Sequence, residues 1–325
     1  MTDYEKLNQE LLKIVGEDFI HSDPIAMKTY DCDALTLYKG TPIFVVLPET
    51  SEQVSQIVKI CLENEVPIIP RGAGTCLSGG ATPVSGGVLI VFTRMNKVLE
   101  LDFQNRIARV QPGVVNLELT KMALPHGFHY APDPSSQMAC TIGGNVAENS
   151  GGAHCLKYGM TTNHVLGIEV VLSSGEILQI GSDAHEIGGL DLRGFFIGSE
   201  GTFGVITEIT VRLTPNPEGV KTMLASFEEV GDACRTVSEI IASGAVPAAM
   251  ELMDKYTIEA IETVVKAGYP KGAAAVLLIE LDGFISSMQP LEKIVKDICE
   301  SNSCTSFNLA SDETERESLW MGRKK

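Results

Sequence analysis

Basic residues are scarce in this chain. Lysine and arginine total 25 against 42 aspartates and glutamates in 325 residues, a formal charge of −17. A surface built to hold nucleic acid or an anionic membrane needs a Lys/Arg footprint, so both partner classes are excluded. Long apolar runs are missing too, and no stretch reaches the roughly 18 consecutive apolar residues of a membrane span. The start, Met1-Thr2-Asp3-Tyr4-Glu5-Lys6, lacks the basic-then-apolar layout of a secretory signal, so the expected location is intracellular and cytoplasmic. The eight cysteines (32, 61, 76, 140, 155, 234, 299, 304) form no Cys-x-x-Cys and no Cys/His cluster at zinc spacing. They are expected as free, mostly buried thiols, and no metal site is expected. Aromatics are 6% of the residues, with one tryptophan. Familiar phosphate and nucleophile loops are also absent. Gly72-x-Gly74 has Leu77 where a dinucleotide fingerprint needs glycine, Gly79-Gly80-Ala81 is not a Walker loop, and no Gly-x-Ser-x-Gly occurs.

Glycine, in contrast, is abundant at 31 residues, and it clusters. One cluster is Pro70-Arg71-Gly72-Ala73-Gly74-Thr75, continuing to Ser78-Gly79-Gly80. A second runs through Pro132-Asp133-Pro134-Ser135-Ser136, Thr141-Ile142-Gly143-Gly144-Asn145, Glu148-Asn149-Ser150-Gly151-Gly152 and Lys157-Tyr158-Gly159. The third is Gly198-Ser199-Glu200-Gly201-Thr202-Phe203-Gly204. One glycine pair alone is a tight turn. Three dense clusters separated by strands suit a buried diphosphate, because backbone N–H groups are the available donors in an acidic chain and glycine exposes them. Thr75, Ser78, Thr141, Ser150, Asn145 and Asn149 add small hydrogen-bonding side chains.

Between the clusters, helical and alternating patterns interleave. Residues 3–20 carry a helical apolar stripe, and Ser51 to Glu63 reads as an amphipathic helix with Ser51 as its cap. Short strands are expected at 43–47, 66–70 and 88–92, with hairpins at 98–101/107–110 and 165–172/177–180. Residues 117–124 read as a helix and 205–213 as an alternating strand. The linker Pro215-Asn216-Pro217-Glu218-Gly219 opens a new pattern, a smaller β-α-α-β-α unit: strand 223–227, helix 230–243, a run 246–252 that leads into helix 254–267, strand 273–281 and helix 290–301. The class is α+β.

These motifs resemble the FAD-binding domain of the vanillyl-alcohol-oxidase (PCMH-type) flavoproteins, most of all the branch of glycolate oxidase and D-lactate dehydrogenase. The likeness runs from about Pro42 to Leu213 and continues through Met250-Glu251-Leu252-Met253-Asp254 to Leu319-Trp320-x-x-Arg323-Lys324. It implies a helical N-terminal segment (1–37), a two-subdomain FAD-binding domain (38–217) and a partial α+β cap domain (218–325). It also implies that Pro70, Arg71, Gly72, Ala73, Gly74, Thr75, Ser78 and Gly79 wrap the FAD diphosphate. Pro132, Asp133, Thr141, Gly144, Asn145, Asn149 and Gly152 would line the ribityl and flavin side, and Glu200, Gly204 and Ile206 the adenosine or flavin edge. Covalent relatives often carry histidine where Thr75 stands, so FAD is expected non-covalently, with buried-thiol roles preferred for Cys76 and Cys155.

The resemblance further implies FAD-dependent oxidation of a small 2-hydroxy acid, glycolate or D-lactate, by hydride transfer to flavin N5. Electrons would pass on to an iron–sulfur subunit, an electron-transfer flavoprotein or a quinone. The carboxylate calls for a cation, and Arg323 stands where the family places one; a solvated terminal charge is the alternative. The catalytic base is unassigned. None of the histidines at 21, 126, 129, 154, 164 and 185 has a third metal ligand in sequence, and the family's catalytic and metal-binding histidines fall beyond residue 325. The alternative function is a truncated or non-catalytic FAD-binding electron-relay subunit. Oxidation of a phenol or sugar is a weaker reading, given the single tryptophan.

Overall fold

The computed structural model describes residues 4–183 and 189–324. The chain folds as two compact units. One comprises residues 1–151 and 160–215, the other residues 152–159 and 216–325.

The first unit starts with helix α1 (Tyr4–Val15), whose Leu7, Leu11 and Val15 recur at helical spacing and are buried. Each contributes about 1.5–3 kcal/mol of burial relative to an exposed position. The expected helix to residue 20 stops early because Gly16 takes φ 88 and a 3-10 turn, Glu17–Phe19, follows. Leu7, Leu11 and Val15 of α1 lie in the core of the unit, with Ile14, Phe19 and Ile20 packed against it. Strands β1 (Ile20–His21), β2 (Phe44–Val46), β3 (Ile68–Arg71) and β4 (Val88–Val91) form a sheet in the order β1-β2-β4-β3. The β2, β4 and β3 strands run parallel, with a short helix α2 (Pro24–Met27) after β1 and helix α3 (Ser51–Glu63) in the β2–β3 crossover. The N-cap of α3 is Thr50, whose hydroxyl accepts from the Gln53 amide, while the Ser51 hydroxyl donates instead to Glu169.

Strands β5 (Val98–Asp102), β6 (Ile107–Val110), β7 (Phe128–His129), β8 (Val165–Val171), β9 (Ile177–Gly181), β10 (Val205–Arg212) and β11 (Thr214–Pro215) complete the unit. Five of them make an antiparallel sheet in the order β5-β6-β10-β8-β9, and β7 pairs with β11. Both hairpins of this sheet form where apolar runs flank turn residues in the sequence. Helices α4 (Asn116–Ala123) and α5 (Ile142–Glu148) cover it through Leu119, Ala123, Ile142 and Val146.

Helix α6 (Cys155–Tyr158) belongs to the second unit, and α7 (Leu192–Phe196) to the first. The second unit otherwise holds β12 (Gly219–Phe227), α8 (Val230–Ala242), β13 (Ala249–Asp254), α9 (Lys255–Val264), β14 (Ala275–Gly283), α10 (Ile285–Ser301), β15 (Ser306–Leu309) and α11 (Glu313–Lys324). Its sheet is antiparallel in the order β13-β14-β12-β15. The α10 helix starts five residues before the expected Pro290, which sits inside it. One face of this sheet packs Met223, Ala225, Leu277 and Ile279 under α8 and α10.

Candidate cofactor site

In the first unit, β3 ends at Arg71 and the chain runs on without helix or strand through the first glycine cluster. The Arg71 side chain is buried, and its Nη1 donates to the carbonyls of Cys32 (2.8 Å) and Ala81 (2.9 Å). Those bonds brace the loop from inside. Gly74 takes φ +70, and a Cβ there would lie 2.2 Å from Arg71 Nη2, so only glycine lets the chain turn over the guanidinium. A second brace comes from Asp33, which is 4% exposed and accepts from the amides of Gly79 (2.8 Å) and Leu35 (2.8 Å) and from Cys76 Sγ (3.3 Å).

The second cluster faces this loop. Thr141 is the N-cap of α5, its hydroxyl accepting from the Gly144 amide at 3.2 Å. A Cβ on Gly72 would come within 2.5 Å of the same Thr141 oxygen. The loop and the start of the helix come this close because residue 72 has no side chain. Asn116 is fully buried and donates to the Pro132 carbonyl (2.9 Å) and to Asn145 Oδ1 (2.8 Å), tying the two halves of the cluster together. Asn149 closes α5 in the left-handed region and accepts from the Thr162 amide at 2.9 Å.

Two adjoining hollows lie along these loops, with about 450 and 860 Å³ of open space. They share Pro70, Gly72, Thr141, Gly144, Ala147 and Glu200 as walls, so they form one continuous cleft. Of the residues singled out from sequence, Pro70, Arg71, Gly72, Ala73, Gly74, Thr75, Thr141, Gly144, Asn145, Glu200, Gly204 and Ile206 line the cleft. Ser78 and Gly79 continue the first loop beyond it, and Pro132, Asp133 and Asn149 flank it in sequence without lining it. Gly152 lies in the second unit, its amide donating to Cys155 Sγ at 2.9 Å, and so does Arg323.

Phe92, Pro112, Ala147 and Glu148 line the cleft without having been singled out as ligands. Glu148 sits next to a motif residue in sequence, but its opposition to Glu200 across Gly80 exists only in the fold: a Cβ at 80 would meet Glu200 Oε2 at 2.8 Å and Glu148 Oε1 at 3.4 Å. Burial, reinforced by the Glu200 charge, pushes the Glu148 carboxyl above its ordinary value. Burial also pushes the Cys76 thiol up to about 11, so it stands protonated at neutral pH. Among the described residues no group of three His, Cys, Asp or Glu is placed to hold a metal ion, and no helix is long and apolar enough to cross a membrane. His185 lies outside the described residues.

A cleft walled by two glycine loops and small hydroxyl and amide side chains fits a ligand with a diphosphate at its centre. Comparison with known proteins decides which one. Residues 42–181 match the FAD binding domain family, and residues 216–325 match the C-terminal domain of the FAD linked oxidases. The glycolate oxidase subunit GlcD of Bacillus subtilis is 41% identical over 319 residues, covering 98% of this chain and 68% of the relative. The chain belongs to the PCMH-type flavoproteins, in the GlcD and D-lactate dehydrogenase branch.

GlcD of Escherichia coli (strain K12) is 48% identical over 311 residues, covering 96% of this chain, and the chain spans 62% of that relative's length. A D-lactate dehydrogenase of Anaerostipes hadrus is 37% identical over 294 residues, covering 88% of this chain and 59% of the relative. The fold of p-cresol methylhydroxylase superposes with a TM-score of 0.83 at 20% identity, over 97% of this chain and 68% of the other. The cofactor of this flavoprotein is FAD. The bare backbone of Gly72, which lines both hollows beside Thr141 and Gly144, is the feature of the cleft that fits it, since no side chain stands between that backbone and a ligand in the cleft.

Proposed function

We propose that the protein to which this chain belongs oxidises a small 2-hydroxy acid, glycolate or D-lactate, to the 2-oxo acid with FAD. The observation that carries this reading is the continuous cleft between the Pro70–Thr75 and Thr141–Asn145 loops, in a chain whose two halves match an FAD binding domain and an FAD-linked-oxidase C-terminal domain in order. The names of the GlcD and D-lactate dehydrogenase relatives support the substrate class.

In this reading the amides of Gly72 to Thr75, with Ser78 and Gly79, meet the diphosphate. Arg71 serves by holding that loop through the carbonyls of Cys32 and Ala81. Thr141, Gly144 and Asn145 lie along the ribityl and flavin side, and Glu200, Gly204 and Ile206 close the cleft. FAD is held without a covalent bond. When bound, it supplies the hydride acceptor. Arg323 takes the substrate carboxylate through its planar fork, which fixes the acid in one orientation. The GlcD relatives are named as subunits, which supports a multi-subunit enzyme; an iron–sulfur subunit or an electron-transfer flavoprotein is the proposed acceptor of the electrons.

The test is a visible absorption spectrum of the purified full-length protein, before and after anaerobic addition of D-lactate and, separately, glycolate. The expected result is an oxidised-flavin spectrum that bleaches with one of the acids. A flavin spectrum untouched by either acid overturns the reaction, and protein that takes up no FAD overturns the cofactor assignment. Flavin released into the supernatant by acid precipitation confirms the non-covalent attachment.

A further inference from the structure

Helix α11 of the second unit carries Arg316, Trp320 and Arg323 at i, i+4 and i+7, one face of the helix. That face meets carboxylates of the sheet. Trp320 Nε1 (2.6 Å) and Arg316 Nη1 (3.3 Å) donate to Glu280 of β14, and Arg323 Nε donates to Glu251 Oε2 of β13 at 2.5 Å. Ala249 pairs with Glu280 across the two strands, so Glu251, two residues on from Ala249, projects from the same face of the sheet as Glu280.

The end of the helix is framed from a second side. Tyr269 donates its hydroxyl to the carbonyl of Leu319, one turn before Arg323, at 2.5 Å. Tyr269 is itself fixed by Glu262, which accepts from the amides of Gly268 (2.8 Å) and Tyr269 (2.9 Å). Gly322 lies so close that a Cβ there would stand 2.7 Å from both the Ala267 Cβ and the Tyr269 oxygen. A solvated terminal arginine needs none of this.

The guanidinium offers five N–H donors in one plane. Glu251 takes the Nε edge from the protein side, where its side chain is 18% exposed, while the Arg323 side chain is 35% exposed. The end of the group that remains is the pair of terminal nitrogens, whose spacing matches the two oxygens of a carboxylate. We propose that Glu251 is a positioning residue for Arg323: it holds the guanidinium by its Nε edge, so that the terminal nitrogens stand as a preset fork for the carboxylate of the 2-hydroxy acid. This rests on the assignment of Arg323 to the substrate carboxylate made above. Because the side chain's freedom is given up on folding, less is lost when the acid binds.

The test uses the FAD-loaded full-length protein. Oxalate, a carboxylate that cannot lose hydride, is titrated and its binding is followed by calorimetry. The E251A change is expected to weaken oxalate binding about tenfold, the worth of a charged hydrogen bond, and to raise KM for the acid in step while kcat stays within about twofold. E251Q keeps an acceptor in place and is expected to weaken binding by about threefold, which reads the same interaction in a variant of unchanged size. In a double-mutant cycle, E251A adds nothing once R323A is present. The proposal is overturned if R323A weakens oxalate binding while E251A and E251Q do not, or if the two losses multiply; the Arg323 assignment then still stands. If R323A leaves oxalate binding and KM unchanged, the Arg323 assignment itself falls, and this proposal with it.

Discussion

The cleft of the first unit and the charged sheet face of the second are built on opposite terms. Along the cleft the chain shows mostly backbone, small hydroxyls and amides, and its two carboxylates, Glu148 and Glu200, face each other as like charges. On the sheet face every carboxylate described has partners within the unit. Glu280, 4% exposed, accepts from His154 (3.0 Å), Thr222 (2.7 Å), Arg316 and Trp320. Asp282 holds Lys157 and Tyr158, and Glu251 holds Arg323. The first arrangement is completed by a ligand. The second is already complete and holds other groups still.

Substitutions can press on that contrast from both sides. The largest effect is expected at Glu280. Burial pushes this carboxyl up, but the bonds from His154, Thr222 and Trp320 and the charge of Arg316 outweigh it and hold it below the ordinary glutamate range. Glu280→Ala strands those partners and should cost the second unit about 3–5 kcal/mol, read by denaturant unfolding. The pH dependence has a definite sign. A depressed folded pKa stabilises fully above the unfolded value and is lost as pH falls through the folded one. Wild type should therefore lose stability below about pH 4.5, and Glu280→Gln should lack that slope.

Next is Gly74→Val in the cleft. Its strain of about 1–3 kcal/mol falls on the loop that meets the diphosphate. FAD affinity should fall at least about tenfold by flavin fluorescence titration, with the unfolding of the second unit unmoved. Equal loss of both would erase the contrast between the two regions. A smaller effect of opposite sign is expected from Glu148→Gln. Since the Glu148 pKa is raised, its charge costs stability above the folded pKa and nothing below the unfolded one. The glutamine should stabilise the first unit at pH 7, by less than about 1 kcal/mol because the site is partly screened by solvent, and not at all at pH 4. The smallest change is chemical. Burial holds Cys61 and Cys299 up at about 12, whereas Cys234 is exposed. Iodoacetamide at neutral pH should label Cys234 first and reach Cys61 and Cys299 only on unfolding, as mass spectrometry of digests would show.

What the sequence made legible follows from how local each signal is. Hairpins β5–β6 and β8–β9 could be read because apolar runs and turn residues lie side by side in the chain. The two-residue β1 and the half-exposed β15 carry no such pattern, and both are defined by pairing with distant strands. The glycine clusters announced the cleft because exposing backbone requires a particular residue type. Asp33 gave no signal, being a single acid in an unpatterned stretch 46 residues from the amide it holds. Glu148 stood inside a glycine cluster, but Glu200 lies 52 positions further along the chain and their opposition shows only in the fold. Arg323 was visible as part of a motif, but its partner Glu251 lies 72 residues away and only strand register brings the two together.

The excursion of residues 152–159 has a consequence for how the chain can be divided. The second unit needs that octapeptide, made early, and everything after residue 216, made late. Synthesis must therefore finish much of the first unit's sequence before the second can close its sheet over His154 and Tyr158. A protease nick in the Pro215–Glu218 linker would leave two pieces that do not part, because one of them still carries a portion of the other's interior. The gene has no single place at which it can be cut to give two self-sufficient products.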